Sequence, residues 1–245
     1  MPFAGTDVTV NPCLLIPIYN HKDTIGSVLD SLAYLALPCL VVDDGSDEAT
    51  QETLRQERAR RPWVELFRLP VNRGRGAALR HGYCRAAERG FSHAVQLDAD
   101  GQHDAADVPK FLDAARRQPD ALVLGRPIFG ADSPRARLYG RRLSQAFVWA
   151  VTGSFAIEDP LCGFRCFPLR CTVPMVDSVR LGDRMEFDPE IVVRLAWAGV
   201  PVVSVPTRVR YFPGGLSNFR MVRDNALIVG AYTRLVLARL FGRRG

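Results

Sequence analysis

Short apolar segments alternate with helix-like segments along the first half of the chain. Buried strands are predicted where the apolar runs lie, at 12–19, 39–42, 65–69, 93–97 and 121–124. Helices are predicted between them, at 21–35, 47–61, 77–89 and 109–117. This alternation predicts βαβ units and a mostly parallel sheet with helices on its faces, which is an α/β fold.

The pattern changes after about residue 125. We predict a long helix over 135–151, an irregular segment over 158–170, a helix over 187–198, a strand over 202–205 and a last helix over 219–241. The length of 245 residues is compatible with one large domain. Its first half, about 11–125, is typical of a nucleotide-binding α/β layer, onto which the second half builds.

Composition excludes several classes of protein. With 47% apolar and 24% charged residues, the chain is neither disordered nor collagen-like, and it is too long for a small disulfide scaffold.

The chain has no apolar run long enough to span a bilayer and no signal peptide pattern, so we expect a cytoplasmic protein. Cys162, Cys166 and Cys171 match no common zinc spacing, and buried packing is the expected role of the cysteines.

Positive charge is concentrated at the C-terminus. Residues 208–245 contain eight arginines and one acid, which accounts for more than the whole-chain surplus of +6. In the last helix, apolar residues at helical spacing alternate with Arg223, Arg234 and Arg239. Such a basic amphipathic helix can lie on the inner face of an anionic membrane. The alternative is a helix that packs on the domain and has a solvated basic face. We do not expect nucleic-acid binding, because the sequence contains no recognised nucleic-acid-binding module.

Polar residues follow four successive predicted strands. They are Tyr19-Asn20, Asp43-Asp44, Asn72 and Asp98 to Asp100. Ligands of open parallel sheets bind beyond the carboxyl ends of the strands, so these residues predict a site at that edge.

The Asp98-x-Asp100 pair is the main candidate for metal chemistry. Two carboxylates on one loop can share Mg²⁺, which prefers carboxylate oxygens together with substrate phosphates, and Gln102 adds an oxygen. The alternative is an exposed turn whose acids cap the next helix. A carboxylate of Asp43 or Asp44 can accept from a base N–H, although a simple strand-to-helix turn also explains them. The Asn72-x-Gly74-x-Gly76 turn suits an anion at a helix N-terminus.

Five motifs together resemble the family 2 glycosyltransferases of the GT-A fold. In chain order they read PxYN, VVDDGS, NxGxGxA, LDADGQ and DPxxGFR, and the likeness spans about residues 11–220. Within the family, the chain is most similar to the polyprenyl-phosphate sugar transferases. The resemblance implies an inverting, metal-dependent transfer of a hexose from a nucleotide-diphosphate sugar to a polyprenyl-phosphate-type lipid of the cell envelope. The alternatives are a hydroxyl acceptor such as a saccharide, or a non-catalytic nucleotide-binding module.

The resemblance also implies an organisation and a set of site residues. Residues 11–125 would bind the nucleotide, 126–220 would form the acceptor half and 221–245 the C-terminal helix. Asp98, Asp100 and Gln102 would hold Mg²⁺ or Mn²⁺, and the catalytic group would comprise Asp159, Asp100 and Arg165. The substrate-binding residues would be Pro17, Tyr19, Asn20, Asp43, Asp44, Gly74, Arg75, Arg126, Arg141 or Arg142, Gly163, Glu186, Asp188 and Ser217. Two departures concern the acceptor side: Leu161-Cys162 replace a frequent Thr-Ser, and Asn218 replaces the lysine of a G-x-S-K pattern, for which Arg220 would substitute.

Overall fold

The computed structural model of the chain describes residues 9–129, 135–210 and 218–242. Its strands are β1 (Pro12–Ile18), β2 (Cys39–Asp43), β3 (Val64–Arg68), β4 (His93–Gln96), β5 (Leu122–Ile128), β6 (Arg165–Pro168) and β7 (Val202–Arg208). Its helices are α1 (Lys22–Leu32), α2 (Glu48–Arg60), α3 (Arg75–Glu88), α4 (Val108–Arg117), α5 (Arg135–Thr152), α6 (Leu169–Ser178), α7 (Phe187–Trp197) and α8 (Met221–Leu240).

The seven strands form one sheet in the order β3-β2-β1-β4-β6-β5-β7. Every pairing is parallel except those of β6, which runs antiparallel to β4 and β5. The strand order reverses between β1 and β4, where crevices form in sheets of this kind. The mostly parallel α/β architecture expected from the sequence is therefore confirmed.

Two apolar cores cover the two faces of the sheet. One contains residues of α3, α5, α6, α7 and α8, and the other contains residues of α1, α2 and α4. All seven residues of β1 are buried, which explains why this strand reads as an uninterrupted apolar run. The cysteines are free thiols within this packing, and burial raises the pKa of Cys13 and Cys162 to about 12.

The prediction of an irregular segment over 158–170 is wrong for its second part. That part contains β6, and α6 begins immediately afterwards at Leu169. Four residues, one of them a fully buried arginine and the last a proline, do not show a period of two. In α6, Pro174 lies inside the helix and obscures its periodicity.

Helix α8 differs from the basic amphipathic helix that the sequence predicts. Its arginines do not form a free solvated face: Arg223 pairs with Asp224, Arg234 with the buried Glu190, and Arg239 donates to the carbonyl oxygen of Val151. Its outward side includes four exposed apolar residues, Val222, Val229, Leu237 and Leu240. No helix among the described residues is long and apolar enough to cross a membrane.

Candidate active site

The loops after β1 and β2 are joined by hydrogen bonds at the carboxyl edge of the sheet. Asn20 has a left-handed backbone (φ 56°), its N–H donates to Ser46 Oγ (3.0 Å), and its Oδ1 accepts from the N–H of Asp47 (2.9 Å). Asparagine tolerates this conformation better than most residues. Pro17 is buried within β1, and the carbonyl oxygen of Tyr19 accepts from Asn218 Nδ2 (2.8 Å).

The carboxylates of Asp43 and Asp44 are buried and bonded to the protein. Asp43 accepts from Arg68 Nη1 and from the N–H of Ser46, both at 2.9 Å. Asp44 accepts from Asn72 Nδ2 (2.9 Å) and from the N–H groups of residues 73 (2.8 Å) and 74 (2.7 Å). Burial raises the pKa of Asp44, and these N–H bonds oppose the rise. In this arrangement Asp44 fixes the glycine-rich turn before α3.

The glycine-rich turn brings the start of α3 against the loop before α7. Gly74 has φ 114°, and a Cβ there would lie 2.5 Å from Arg184 Cγ and from the carbonyl oxygen of Asp183. Only glycine fits both the conformation and the space. The next residue, Arg75, turns inward, and its side chain is only 13% exposed.

Arg75 joins the loop after β4 to the start of α7. Its Nε and Nη2 donate to Asp98 Oδ1 (3.1 and 2.6 Å), and its Nη1 pairs with Asp188 Oδ2. Burial opposes the charge on Arg75, but the carboxylates of Asp188 and Asp98 raise its pKa above the ordinary value. Burial alone would raise the pKa of Asp98, yet Arg75 and His103, whose Nε2 lies 3.3 Å from Asp98 Oδ2, hold it well below its usual range.

Asp98 and Asp100 line a cavity of about 670 Å³. Its wall is formed by α1 and by the segment that follows β4, with residues that include His21, Thr24, Asp98, Asp100, Gln102, His103 and Arg210. Asp100 Oδ1 accepts from the N–H of Gln102 (3.0 Å), and burial together with the charge of Asp98 raises the pKa of Asp100. The cavity therefore has an acidic side; Tyr19, Asp43 and Asp44 are not in its wall.

The donor set fits a divalent cation that is shared with a substrate. Asp98 already has protein partners on both oxygens, so Asp100 and the side-chain oxygen of Gln102 are the candidate ligands in the wall of the cavity. Within the described ranges, no group of three or more His, Cys, Asp or Glu side chains is arranged to hold a metal. Mg²⁺ commonly takes one or two carboxylates and completes its shell with phosphate oxygens and water.

Asp159 is enclosed in the loop before β6. Its Oδ2 accepts from Arg141 Nη1 of α5 (2.6 Å) and its Oδ1 from the N–H of Leu161 (2.8 Å). Arg126 Nε lies 3.5 Å from a carboxylate oxygen of Glu158 and is half exposed. The expected substrate-binding roles of these arginines stay predictions; in the structure both face carboxylates.

Arg165 is fully buried and bonded to the protein, and its expected catalytic role stays a prediction. Its side chain is 0% exposed and donates to the carbonyl oxygens of Pro160 (2.7 Å), Cys162 (2.7 Å) and Asp188 (3.0 Å). It also lies 3.0 Å from Asp188 Oδ1. In the structure, Arg165 thus holds the loop that contains Asp159.

Gly163, in the predicted acceptor half of the chain, lies against Arg75 and Asp98 of the predicted nucleotide-binding half. A Cβ on this glycine would lie 2.9 Å from Arg75 Nη2 and from the carboxyl carbon of Asp98. Glu186 and Asp188 are buried at the start of α7, while Arg142 is exposed on α5. Ser217 lies outside the described residues.

Sequence reasoning did not assign two side chains that hold the acids of the site. They are Arg68 on Asp43 and His103 on Asp98. His103 had one usable signal, its position in the loop that follows Asp98 and Asp100. Arg68 ends β3 and pairs with a residue 25 positions earlier, and no local pattern reports that contact.

Comparison with known proteins identifies the family. Residues 13–167 match the model of glycosyl transferase family 2, and the chain belongs to that family. The chain is 24% identical to the UDP-N-acetylglucosamine--dolichyl-phosphate N-acetylglucosaminyltransferase of Methanococcus voltae, covering 93% of this chain and 95% of that protein. It is 27% identical to the polyprenol monophosphomannose synthase of Mycolicibacterium smegmatis, covering 67% and 66%.

A solved structure shows the same fold. The mannosyltransferase PcManGT from Pyrobaculum calidifontis, solved in complex with GDP-Man and Mn²⁺, superposes with a TM-score of 0.63 at 14% identity. The match covers 93% of this chain and 64% of PcManGT, so the chain spans less than two thirds of that protein. The chain is a glycosyltransferase with a GT-A fold. The expected fold and the expected class of enzyme are therefore confirmed, and the alternative of a non-catalytic nucleotide-binding module is set aside.

Proposed function

We propose that the chain transfers a hexose from a nucleotide-diphosphate sugar to a polyprenyl-phosphate lipid, with inversion at the anomeric carbon and with Mg²⁺ or Mn²⁺. The observation that carries this proposal is the position of Asp98 and Asp100 in the wall of the cavity at the carboxyl edge of the sheet. The names of the relatives support the acceptor, since they refer to dolichyl phosphate and polyprenol. PcManGT, solved in complex with GDP-Man and Mn²⁺, supports the donor and the cation.

Asp100 and Gln102 would hold the cation, and Asp98 would orient the loop after β4 that carries both of them. When bound, the cation neutralises the negative charge that develops on the departing diphosphate. Asp98 contributes through its fixed position, because Arg75 and His103 hold both of its oxygens. The glycine-rich turn leaves the N-terminus of α3 at the same edge, where backbone N–H groups favour an anion.

The surroundings of Asp159 favour a phosphate acceptor over a hydroxyl. A hydroxyl needs a base to take its proton, and Asp159 is the candidate from the sequence. Both of its oxygens, however, already accept hydrogen bonds, from Arg141 and from the N–H of Leu161. A lipid phosphate is ionised at neutral pH and needs no base. Its oxygen would bond to the anomeric carbon as the bond to the diphosphate breaks, and the diphosphate leaves with the electron pair.

Metal dependence is tested by removing one carboxylate. We expect Asp100→Asn to lower the transfer rate by at least about 100-fold, the usual effect of losing charge stabilisation in a transition state. The matched control is Asp113→Asn, which removes an exposed carboxylate paired with Arg116 on α4. Both variants and the parent are assayed with Mn²⁺ and with EDTA. Full activity of the parent in EDTA, or of Asp100→Asn with Mn²⁺, would contradict the metal role.

The acceptor is tested separately with radiolabelled GDP- and UDP-sugars. We expect label in the organic phase when a polyprenyl phosphate is supplied, and none on mono- or disaccharides. Anomeric configuration of the product, determined by NMR, tests inversion. Transfer to a saccharide with no transfer to polyprenyl phosphate would establish the hydroxyl acceptor instead.

A further inference from the structure

The outer side of α5 is a line of exposed uncharged residues. Tyr139 and Leu143 are 70% and 75% exposed, and Ala146 and Ala150 continue the same line. Positions separated by four, seven and eleven residues lie above one another on a helix. The stripe is therefore continuous for three turns of α5.

The outer side of α8 carries a second stripe of this kind. Val222, Val229, Leu237 and Leu240 are between 47% and 87% exposed, and Ala226 lies between the first two. The opposite side of α8, with Ile228, Tyr232 and Leu235, is buried in the core. Helix α8 thus presents apolar residues to both the core and the outside.

The two stripes belong to one surface. Helices α5 and α8 pack against each other and both pack on α7, whose first nine residues are buried. The ring of Phe147 stacks on that of Tyr232 with centroids 4.2 Å apart, and Arg239 Nη1 donates to the carbonyl oxygen of Ala150 (2.6 Å). Because α7 lies beneath both helices, their outer sides face away from the sheet in the same direction.

The exposed charged residues of α5 and α8 among those that the structure describes are arginines. Helix α5 contains four arginines and no acid, and α8 contains three arginines and one acid, Asp224, which is 0% exposed. Arg142 is exposed beside the α5 stripe. The combination is an apolar centre bordered by Arg142 and by Arg234, which is half exposed and also pairs with the buried Glu190.

We propose that the outer sides of α5 and α8 together lie on an anionic lipid membrane. Apolar side chains of such a surface enter the boundary between headgroups and acyl chains, and arginines at its border contact anionic headgroups. A second copy of the chain is a poorer occupant, because a symmetric pairing would bring the two cationic borders together. The surface differs from the basic face expected from the sequence, since it depends on apolar residues of two helices.

The location of this surface relates it to the acceptor, and here the inference rests on the proposed function. Arg141, which holds Asp159, is on α5 next to Arg142 and Leu143 of the proposed surface. The same helix therefore contacts both the membrane and the acceptor side of the site. A lipid phosphate embedded in the membrane would reach the enzyme at this helix.

The test measures co-sedimentation with vesicles of phosphatidylglycerol and of phosphatidylcholine. We expect the parent chain to bind the anionic vesicles and to bind the neutral ones more weakly. Leu143→Glu and Val229→Glu should each lower binding to anionic vesicles by at least about tenfold, because each places a like charge and a polar group in the lipid boundary. The matched control is Ala59→Glu, an exposed alanine of α2 on the other face of the sheet, and it should bind like the parent.

The outcomes separate this proposal from the proposed function. Transfer to a short, water-soluble polyprenyl phosphate should remain at the parental rate in both variants, which also shows that they are folded. Parental vesicle binding by both variants, or failure of the parent to bind, overturns the surface. The proposal is also overturned if analytical ultracentrifugation shows that the parent is a dimer, and if Leu143→Glu dissociates this dimer while vesicle binding is unchanged. Vesicle binding without transfer to any polyprenyl phosphate supports the surface and overturns the proposed acceptor.

Discussion

Gly163→Ala adds a single methyl group at the point where the donor and acceptor sides of the site meet. The new Cβ would overlap Asp98 Oδ2 and would lie 2.9 Å from Arg75 Nη2 and from the carboxyl carbon of Asp98, whereas ordinary contacts begin at 3.4 Å. Arg75 Nη2 and the carboxyl carbon must each retreat by about 0.5 Å, the difference between these distances, and Asp98 Oδ2 must move further. Arg75 has little room to do so, because Asp188 holds its other side.

We expect this crowding to affect the reaction more than the fold. Overpacking costs about 1–3 kcal/mol, which lowers the Tm of a chain of this size by roughly 2–12 °C. A small displacement of Asp98 also shifts the loop that carries Asp100, and misplacements approaching 1 Å lower rates by about 100-fold. The expected result is therefore a fall in kcat of that order in a variant that is folded at 25 °C.

The assay combines steady-state kinetics with a soluble acceptor and thermal unfolding followed by circular dichroism. The matched control is Gly140→Ala on α5, where an added Cβ meets nothing within 4 Å. It should keep the parental kcat and gain up to about 1 kcal/mol of stability, since alanine favours a helix over glycine. A kcat for Gly163→Ala within threefold of the parent would refute the argument that this contact positions the site.

Two further substitutions test buried charges. Arg165→Met leaves Asp188 with one charged partner fewer and should lower the free energy of unfolding by about 3–5 kcal/mol in urea titrations; a loss below about 1 kcal/mol would contradict the positioning role. Burial opposes the charge of Asp107, but hydrogen bonds from Lys110 and Thr207 leave its pKa below the ordinary value. As the pH falls, the carboxylate of Asp107 therefore takes up a proton in the unfolded chain before it does so in the folded one. Its contribution to the free energy of unfolding is present above about pH 4 and is lost as the pH falls further. Urea titrations from pH 3 to 7 should show a weaker acid dependence for Asp107→Asn, and an unchanged dependence would contradict the assignment.

The sequence was sufficient for six of the seven described strands and for the edge of the sheet where the candidate site lies. Strands such as β1 are buried on both faces and so read as apolar runs, while the helices show their own spacing. Polar residues directly after these strands locate the carboxyl edge. The strand β6 was missed because its four residues take their place in the sheet from pairing with β4 and β5, not from any local pattern.

The partners of the charged residues could not be predicted, because they are distant in sequence. Arg75 contacts Asp188 across 113 residues, and Asp159 contacts Arg141 across 18. An arginine is normally exposed, so a motif alone gives no reason to expect Arg165 at 0% exposure. Resemblance predicts a catalytic role for this residue, and in the structure its guanidinium group donates to backbone carbonyl oxygens.

The buried charges of the site form one alternating chain from Asp98 through Arg75 and Asp188 to Arg165. The charges of the two carboxylates and the two guanidinium groups cancel. The free-energy cost of removing each charged group from water is offset only while its neighbours in the chain remain. Arg165 then holds the carbonyl oxygens of the Asp159 loop, and Asp98 lies beside the cavity. The two sides of the site are thus fixed by the same set of charges. Substitutions at either end are expected to be non-additive, since residues of one buried network do not contribute independently.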